Sequence, residues 1–507
     1  MKNKLCLRFA QVCRKPSVSS IAFVIVCALL LRLIFAFLFP IPASGDEMWH
    51  YLVSESFTKE KWLTAPYIDN YWGHVEVPQG TSYRPPLFNF MVGGAMMLFG
   101  SSFFLMQMLN VLIGTAVVLA VYLVAKKLFE DENVAIASAL FTAINPVFIS
   151  LSIGGEVRMF FALLFLISVY FWLEGRKGLA GIFCGLCVLT HQMGLALAIG
   201  YGILMIADLM GKRKGIGAWL KETASFFAPS LLAILILLAI NFALFADVFY
   251  STSKYVPLIT NWNEMQKLAP PKLENFNWGA AISNTLQNTA RTFLPLPFSR
   301  VDGGLALDFN FITNTNLNYN SLASITTLVL LAGAVVYAYE RKKDAGLLAS
   351  MFFGGLFLAV LSLHWPTTYA YAFLFGTSFL AIIFGFGRIL EEKKERRNLL
   401  AFVAVLLLMQ FVIFLNRPAE KPSVIEWMET NIAQNERIMS SDCLEIAFYT
   451  GKACFVTPAE DDAIIRNTAS KYAVEYFVQR KKEGELPHCQ LVFEGENWFV
   501  CLLSGTP

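Results

Sequence analysis

The chain has 507 residues, of which 56% are hydrophobic and 15% charged, with a mean hydropathy of +0.55. An ordinary soluble domain carries about a quarter charged residues, so a lipid-embedded chain is the simplest explanation. The formal net charge of +3 is too small for this length to argue for nucleic acid. The Lys and Arg residues fall in short clusters between apolar runs, where they report topology instead.

A basic start leads into an apolar run from about Ser17 to Phe39. It lacks a small-residue cleavage site, so it reads as a retained first helix spanning about 18–40. A bilayer crossing takes roughly 17–25 residues, and further runs of that length lie at about 103–125, 133–151, 157–174, 224–247, 321–340, 345–363, 367–388 and 398–416. The stretch 178–210 is too long for one helix and is interrupted by Thr190-His191-Gln192, so it is expected as a hairpin of two short helices. The fold expected for residues 1–416 is an all-α polytopic membrane bundle of about eleven transmembrane helices.

With the N-terminus cytoplasmic, Lys126-Lys127, Arg176-Lys177, Lys212-Arg213-Lys214, Arg341-Lys342-Lys343, Lys393-Lys394 and Arg396-Arg397 all fall inside, as the positive-inside rule requires. The outer connections are then 41–102, 152–156, the His191 hairpin, 248–320 and the turn His364-Trp365-Pro366. Residues 86–100 are apolar but too short to span, and counting them as a crossing would turn Lys126-Lys127 outward. They are expected as a helix along the outer membrane surface.

After Arg417-Pro418 the character changes. Residues 424–432 have a helical apolar rhythm, whereas 437–439, 454–456, 473–478, 490–493 and 498–503 read as short strands. A small extracytoplasmic, soluble α/β domain over 417–507 is expected. Its four cysteines, Cys443, Cys454, Cys489 and Cys501, allow two disulfides in three connectivities on an oxidising side. Cys6, Cys13, Cys27, Cys184 and Cys187 lie in or near apolar segments and read as small apolar fillers.

Function is expected in the outer loops, which carry most of the polar residues of an otherwise apolar chain. Ser44-Gly45-Asp46-Glu47-Met48-Trp49-His50-Tyr51 places two adjacent carboxylates just outside the first helix. A carboxylate there can take a proton from an attacking hydroxyl; the structural alternative is that Ser44 or Asp46 caps a surface helix and Glu47 favours its dipole. In Tyr83-Arg84-Pro85-Pro86-Leu87, two prolines fix the chain where it returns to the membrane surface. Arg84 suits a phosphate at that depth, the alternative being an arginine that snorkels to headgroups. Gly154-Gly155-Glu156-Val157-Arg158-Met159-Phe160 opens a crossing with two ionisable groups, expensive there unless paired or used. A structural pair would account for Glu156 and Arg158, but with Asp46 and Arg84 on the same side they look like one site.

In that order, the Asp-Glu pair, the aromatic-rich loop, Arg84-Pro85-Pro86-Leu87 and Glu156-Val157-Arg158-Met159-Phe160 resemble the GT-C glycosyltransferases. More narrowly, they are similar to the branch with the protein O-mannosyltransferases and the lipid A aminoarabinose transferases. Residues 424–428, 440–442, 447–451 and 471–476 resemble the outer domain of such relatives, so the resemblance spans nearly the whole chain. It implies inverting transfer of a sugar from a polyprenyl-phosphate carrier, dolichyl or undecaprenyl, to an acceptor protein, glycan or lipid on the outer face. It maps the general base onto Asp46, an orienting role onto Glu47, carrier-phosphate binding onto Arg84, and the second acidic motif onto Glu156 and Arg158. His50 and Tyr83, which flank these motifs, are expected among the substrate-binding groups. Arg158, Arg291, Arg300 and His191 stand behind Arg84 as groups to meet the phosphate charge. Where relatives often carry an arginine-tyrosine pair before the tenth helix, this chain has His364 and Tyr369: either His364 replaces that arginine or the site is differently built. The loop with Trp262, Trp278 and Arg291 is the expected place for acceptor selection. A single phosphate leaves without a divalent ion, whereas a pyrophosphate carrier would call for one; with no clean metal cluster in the sequence, metal independence is favoured.

Two other classes make different demands. A transporter or lipid flippase would hold its site near the bilayer midplane on broken helices, whereas the carboxylates here cluster in outer loops. A non-catalytic scaffold presenting the terminal domain would make Asp46 dispensable.

Overall fold

In lipid a lone apolar segment satisfies its backbone by folding as a helix, and the first half of the chain does so. The computed structural model describes residues 18–39, 45–59, 62–68, 71, 79–80, 84–191, 194–211, 215–248, 266–272, 274, 276–282, 298–301, 304–307, 369–391, 400–401, 404, 421–481, 489–495 and 497–503. Helix α1 (Val18–Leu38) leads to α2 (Gly45–Glu55), a short 3₁₀ turn, and the two-residue strands β1 (Thr64–Ala65), β2 (Tyr67–Ile68) and β3 (Gln79–Gly80). There follow α3 (Leu87–Phe99), α4 (Phe103–Phe129), α5 (Glu132–Ile144), α6 (Pro146–Gly154), α7 (Val157–Leu173), α8 (Lys177–Thr190), α9 (Gly194–Met210) and α10 (Ile216–Phe245). An antiparallel hairpin, β4 (Phe298–Val301) and β5 (Gly304–Leu307), precedes α11 (Tyr369–Glu391).

Among the described residues three helices, α1, α4 and α10, are long and apolar enough to cross a membrane, with a fourth crossing if the bent pair of α5 and α6 is counted as one broken span. Helices α7, α8 and α9 are apolar but shorter, and the break between α8 and α9 falls at His191, where the sequence places it. The expected eleven crossings are not reproduced within this set: 321–340 and 345–363 lie outside the described residues, as does nearly all of 398–416. Helix α3 matches the short segment expected over 86–100 and leaves Met97, Leu98 and Phe99 exposed at its end.

The expected single span over 133–151 is instead two helices meeting at 54°. The cause is Pro146, which has no N–H to give the carbonyl of Thr142. Arg32, fully buried in the middle of α1, supplies the missing donors. Its Nη2 donates to the Thr142 carbonyl at 3.4 Å, its Nη1 to the carbonyls of Ala143 and Ala28 at 3.1 Å, and its Nε to Ser152 Oγ at 3.1 Å. A guanidinium at a broken helix C-terminus also meets the negative end of that helix's dipole. The opposite face of α1 exposes Phe23, Val26, Leu30, Ile34 and Phe37, three or four residues apart, as an apolar stripe. Replacing Arg32 with Leu is expected to destabilise the bundle by about 2 kcal/mol, because two buried carbonyls lose their donors. Heat denaturation in detergent measures this; a Leu variant as stable as the parent would mean that the penalty for burying the charge cancels the bonds.

The C-terminal part alternates helices and strands: α12 (Ser423–Asn431), β6 (Ile438–Ser440), α13 (Cys443–Thr450), β7 (Cys454–Val456), α14 (Asp462–Lys471), β8 (Tyr476–Arg480), β9 (Gln490–Glu494) and β10 (Trp498–Leu502). They form a six-stranded sheet in the order β2-β7-β6-β8-β10-β9, parallel from β2 to β8 and antiparallel beyond. Side chains alternate between two cores, as strand geometry demands. Ile438, Cys454, Val478 and Val500 face one core with Trp49, Leu52 and Val53 of α2, and Met439, Phe455, Phe477 and Phe499 face the other with Ile68 and Tyr71. The sheet expected within 417–507 thus takes an edge strand and part of both cores from residues 49–71.

The strand expected from residue 473 begins at Tyr476, because Ala473 sits in the left-handed region (φ 48°) where α14 ends. Of the three disulfide connectivities, the structure has Cys443–Cys454 and Cys489–Cys501. The first ties α13 to β7 across 11 residues. Changing Cys443 and Cys454 to Ala together is expected to destabilise this domain by about 3 kcal/mol through freed chain entropy. Limited proteolysis should then cut within 421–503 at lower protease concentration, and an unchanged digestion pattern would show that the bridge contributes little.

Candidate active site

The expected functional residues come together where α2 meets the start of α3 and the turn between α6 and α7. With about 100° per helical residue, Asp46 and His50 share one face of α2. Trp49, Leu52 and Val53 pack against the α/β core and hold the helix in place. Pro85 and Pro86 fix the approach to α3, so Arg84 is held immediately before a rigid helix start. Gly155 adopts a positive φ of 86° that a side chain would strain, and this turn presents Glu156 and Arg158. Asn110 of α4 anchors the turn by donating from Nδ2 to the Glu156 carbonyl at 2.9 Å.

The side chains form one continuous network. Arg84 Nη2 pairs with Asp46 Oδ1 at 2.5 Å, and Arg158 Nη2 lies 3.6 Å from Asp46 Oδ2. Arg158 Nε in turn pairs with Glu156 Oε2 at 3.0 Å. Arg84 Nη1 lies 3.4 Å from His50 Nε2, and His50 Nδ1 lies 2.8 Å from Asn89 Oδ1. A guanidinium only donates, so Nε2 accepts and the proton of the neutral imidazole sits on Nδ1, donating to Asn89. The Arg84 guanidinium also lies 5.8 Å from the Trp49 ring. Glu47 is buried against the end of α6, where a Cβ at Gly154 would overlap its carboxylate.

These surroundings set the protonation states. Burial disfavours the charge on Asp46, yet Arg84, by charge and by hydrogen bond, and Arg158 together hold its carboxyl well below the usual carboxylate range. Burial, reinforced by Arg84, pushes His50 down to about 3, and the same two causes, with Arg158, push His191 at the hairpin turn to about 3. Both imidazoles are therefore neutral near pH 7.

Asp46, Glu47, His50, Arg84, Glu156 and Arg158 are thus brought together, with His191 in electrostatic reach of Arg84 and Arg158 and its ring 5.9 Å from that of Phe161. Tyr83, Arg291, His364 and the side chains of Arg300 and Tyr369 lie outside the described residues. Sequence reasoning missed Asn89, Asn110 and Arg32. Their one available signal was a polar residue inside an apolar run, which by itself flags a functional or structural role. Among the described residues no three His, Cys, Asp or Glu side chains converge as metal ligands. Helix α4 carries Asn110 near one end and Lys126 and Lys127 at the other, where they pair with Glu132 at 3.0 Å and Glu174 at 2.5 Å. The site and this basic cluster therefore lie toward opposite ends of a helix about 40 Å long.

Residues 83–240 match the family model described as dolichyl-phosphate-mannose-protein mannosyltransferase. That segment contains Arg84, Glu156, Arg158 and His191. No curated protein matches the chain in sequence. Among solved structures it is similar to the apo oligosaccharyltransferase of Archaeoglobus fulgidus, with 16% identity, 91% of this chain and 69% of that one covered, and a TM-score of 0.58. It is also similar to the arabinofuranosyltransferase AftD from Mycobacteria, with 13% identity, coverage of 98% and 40%, and a TM-score of 0.51. ArnT from Cupriavidus metallidurans bound to undecaprenyl phosphate aligns over 97% of this chain and 99% of that one at 12% identity and a TM-score of 0.48. Residues 83–240 thus match a mannosyltransferase family model, and over most of its length the chain shares the fold of an oligosaccharyltransferase and an arabinofuranosyltransferase.

Proposed function

We propose that the chain transfers a sugar, with inversion, from a polyprenyl-phosphate carrier to an acceptor at the extracytoplasmic face, with Asp46 as general base. The observation that carries this reading is one carboxylate held between two guanidiniums, Arg84 and Arg158, near the lip of an apolar bundle. The acceptor oxygen attacks the anomeric carbon, its proton passes to Asp46, and the bond from that carbon to the phosphate oxygen breaks. The carrier phosphate leaves with the electron pair and one more negative charge, which Arg84 and Arg158 meet in a poorly hydrated setting. Glu156 holds Arg158 in place, and Glu47, fixed by its packing on Gly154, orients the acceptor side.

A carboxylate clamped by arginine is a weak base, and the carrier phosphate removes that handicap. It draws the guanidiniums toward itself and adds negative charge nearby, so Asp46 becomes more basic only once the sugar-lipid is bound. The positive-inside pattern supports a cytoplasmic N-terminus, a transmembrane module over 1–416 and an outer domain over 417–507, with the site outside. The test is sugar transfer from a panel of radiolabelled polyprenyl-phosphate sugars by purified protein in bilayers. Release of carrier phosphate with transfer supports the reading. A protein that binds a sugar-lipid but never turns it over with any acceptor extract is a transporter or a scaffold.

A further inference from the structure

We propose that the cavity between α2 and the outer sheet is the acceptor site, and that it takes a neutral saccharide unit. This deepens the transfer reading above and rests on it for the word acceptor, though not for the binding itself. The cavity measures about 370 Å³ and is lined by Gly45 and Met48 of α2, Tyr67 of β2, and Asp442, Glu445 and Arg480 of the outer domain. That volume lies within the range of small-molecule sites, about 300–1,000 Å³. It opens at the carboxyl ends of the four parallel strands β2, β7, β6 and β8, the position where open α/β sheets gather their ligands.

Its polar wall is assembled in advance. Arg480 Nε and Nη2 bond the two oxygens of Asp442 at 2.9 Å each, Nη2 also reaches Glu445 Oε2 at 3.2 Å, and the guanidinium lies 4.7 Å from the Trp498 ring. Each carboxylate oxygen keeps acceptor capacity beyond the bond it takes from Arg480, and acceptors held in place by a rigid guanidinium suit hydroxyls, which donate as well as accept. Two carboxylates against one guanidinium leave this wall negative, which disfavours phosphorylated or carboxylated acceptors.

Placement links the cavity to the chemistry. Gly45 and Met48 line the cavity on one side of α2, whereas Asp46 and His50 face Arg84 on another, and the two sides meet at the helix start. A saccharide held in the cavity brings its hydroxyl round that end to Asp46, while the carrier phosphate comes from the Arg84 side. Helix α2 packs tightly on α13 at this end: a Cβ on Gly45 would lie 3.1 Å from Leu444 Cδ2.

The experiment is saturation-transfer NMR on the full-length protein in nanodiscs with methyl α-D-mannoside, glucoside and galactoside, and with a Ser/Thr-containing peptide. The parent, Arg480→Gln, Asp442→Asn and the cavity-filling Met48→Trp are compared. A monodisperse gel-filtration peak and a thermal transition like the parent's report that each variant is folded. The expected result is saturation of the ring protons of at least one glycoside, weakened at least tenfold in folded Arg480→Gln and Met48→Trp. No glycoside binding by the parent, equal binding by the folded variants, or a peptide that binds in its place and is lost in Arg480→Gln would each overturn the proposal. Because binding is read without turnover, a failure of sugar transfer sinks the transfer reading alone.

Discussion

Replacing Asp46 with Asn is expected to lower turnover of the lipid-linked sugar about 10³-fold, the contribution of a positioned general base. Asn keeps the size of Asp and one acceptor oxygen for Arg84, but it cannot take the proton of the attacking hydroxyl. Carrier binding should hold or tighten, because Arg84 and Arg158 lose the carboxylate they now share, at 2.5 Å and 3.6 Å, and are freer for phosphate. A kcat loss without a rise in KM therefore separates a base from a binding group. In the parent protein neither Asp46, held ionised by Arg84 and Arg158, nor His50, held neutral at about 3 by burial and Arg84, titrates between pH 5 and 8. The pH–rate profile should show no limb from either group there. An Asn variant as active as the parent sinks the mechanism, and a limb near 6.5 that vanishes in His50→Gln would give the proton to His50 instead.

Much of this architecture is legible in the sequence because lipid imposes one rule on the backbone, and apolar length then reports helices directly. The break between α8 and α9 and the strand Cys454–Val456 fall where pattern reading puts them. What was not legible depends on partners distant in sequence. Strand β2 has two residues, too few for any periodicity, and exists because Tyr67 and Ile68 pair with Cys454 and Phe455. The kink at Pro146 was visible in principle, yet the compensating donors come from Arg32, more than a hundred residues earlier. In the site, spacing alone left Asp46 poised between a helix cap and a base. Geometry adds that its carboxylate faces two guanidiniums, while Asn89 completes a chain through His50 that no motif announces.

Arg84 carries the second large effect. Replacing it with Ala is expected to lower kcat by about 10²–10³-fold, the range for losing one preorganised donor to developing negative charge, and to weaken carrier-phosphate binding as well. The pH profile should also change in a direction that can be worked out. Asp46 keeps the burial that disfavours its charge but loses its strongest opposite charge, so its carboxyl rises and the acid limb of the profile moves to higher pH. His50 is relieved of the same guanidinium and rises as well, though burial, the larger cause, still holds it down. Arg84→Lys restores a point charge without the fork that reaches Asp46 and His50 together, so it should recover part of the rate and most of the limb's position. Added guanidinium should rescue Arg84→Ala more than ammonium does, because only the planar ion can span both neighbours. If Arg84→Ala keeps the parent's acid limb and loses only affinity, Arg84 is a headgroup anchor and the charge that meets the leaving phosphate must come from Arg158.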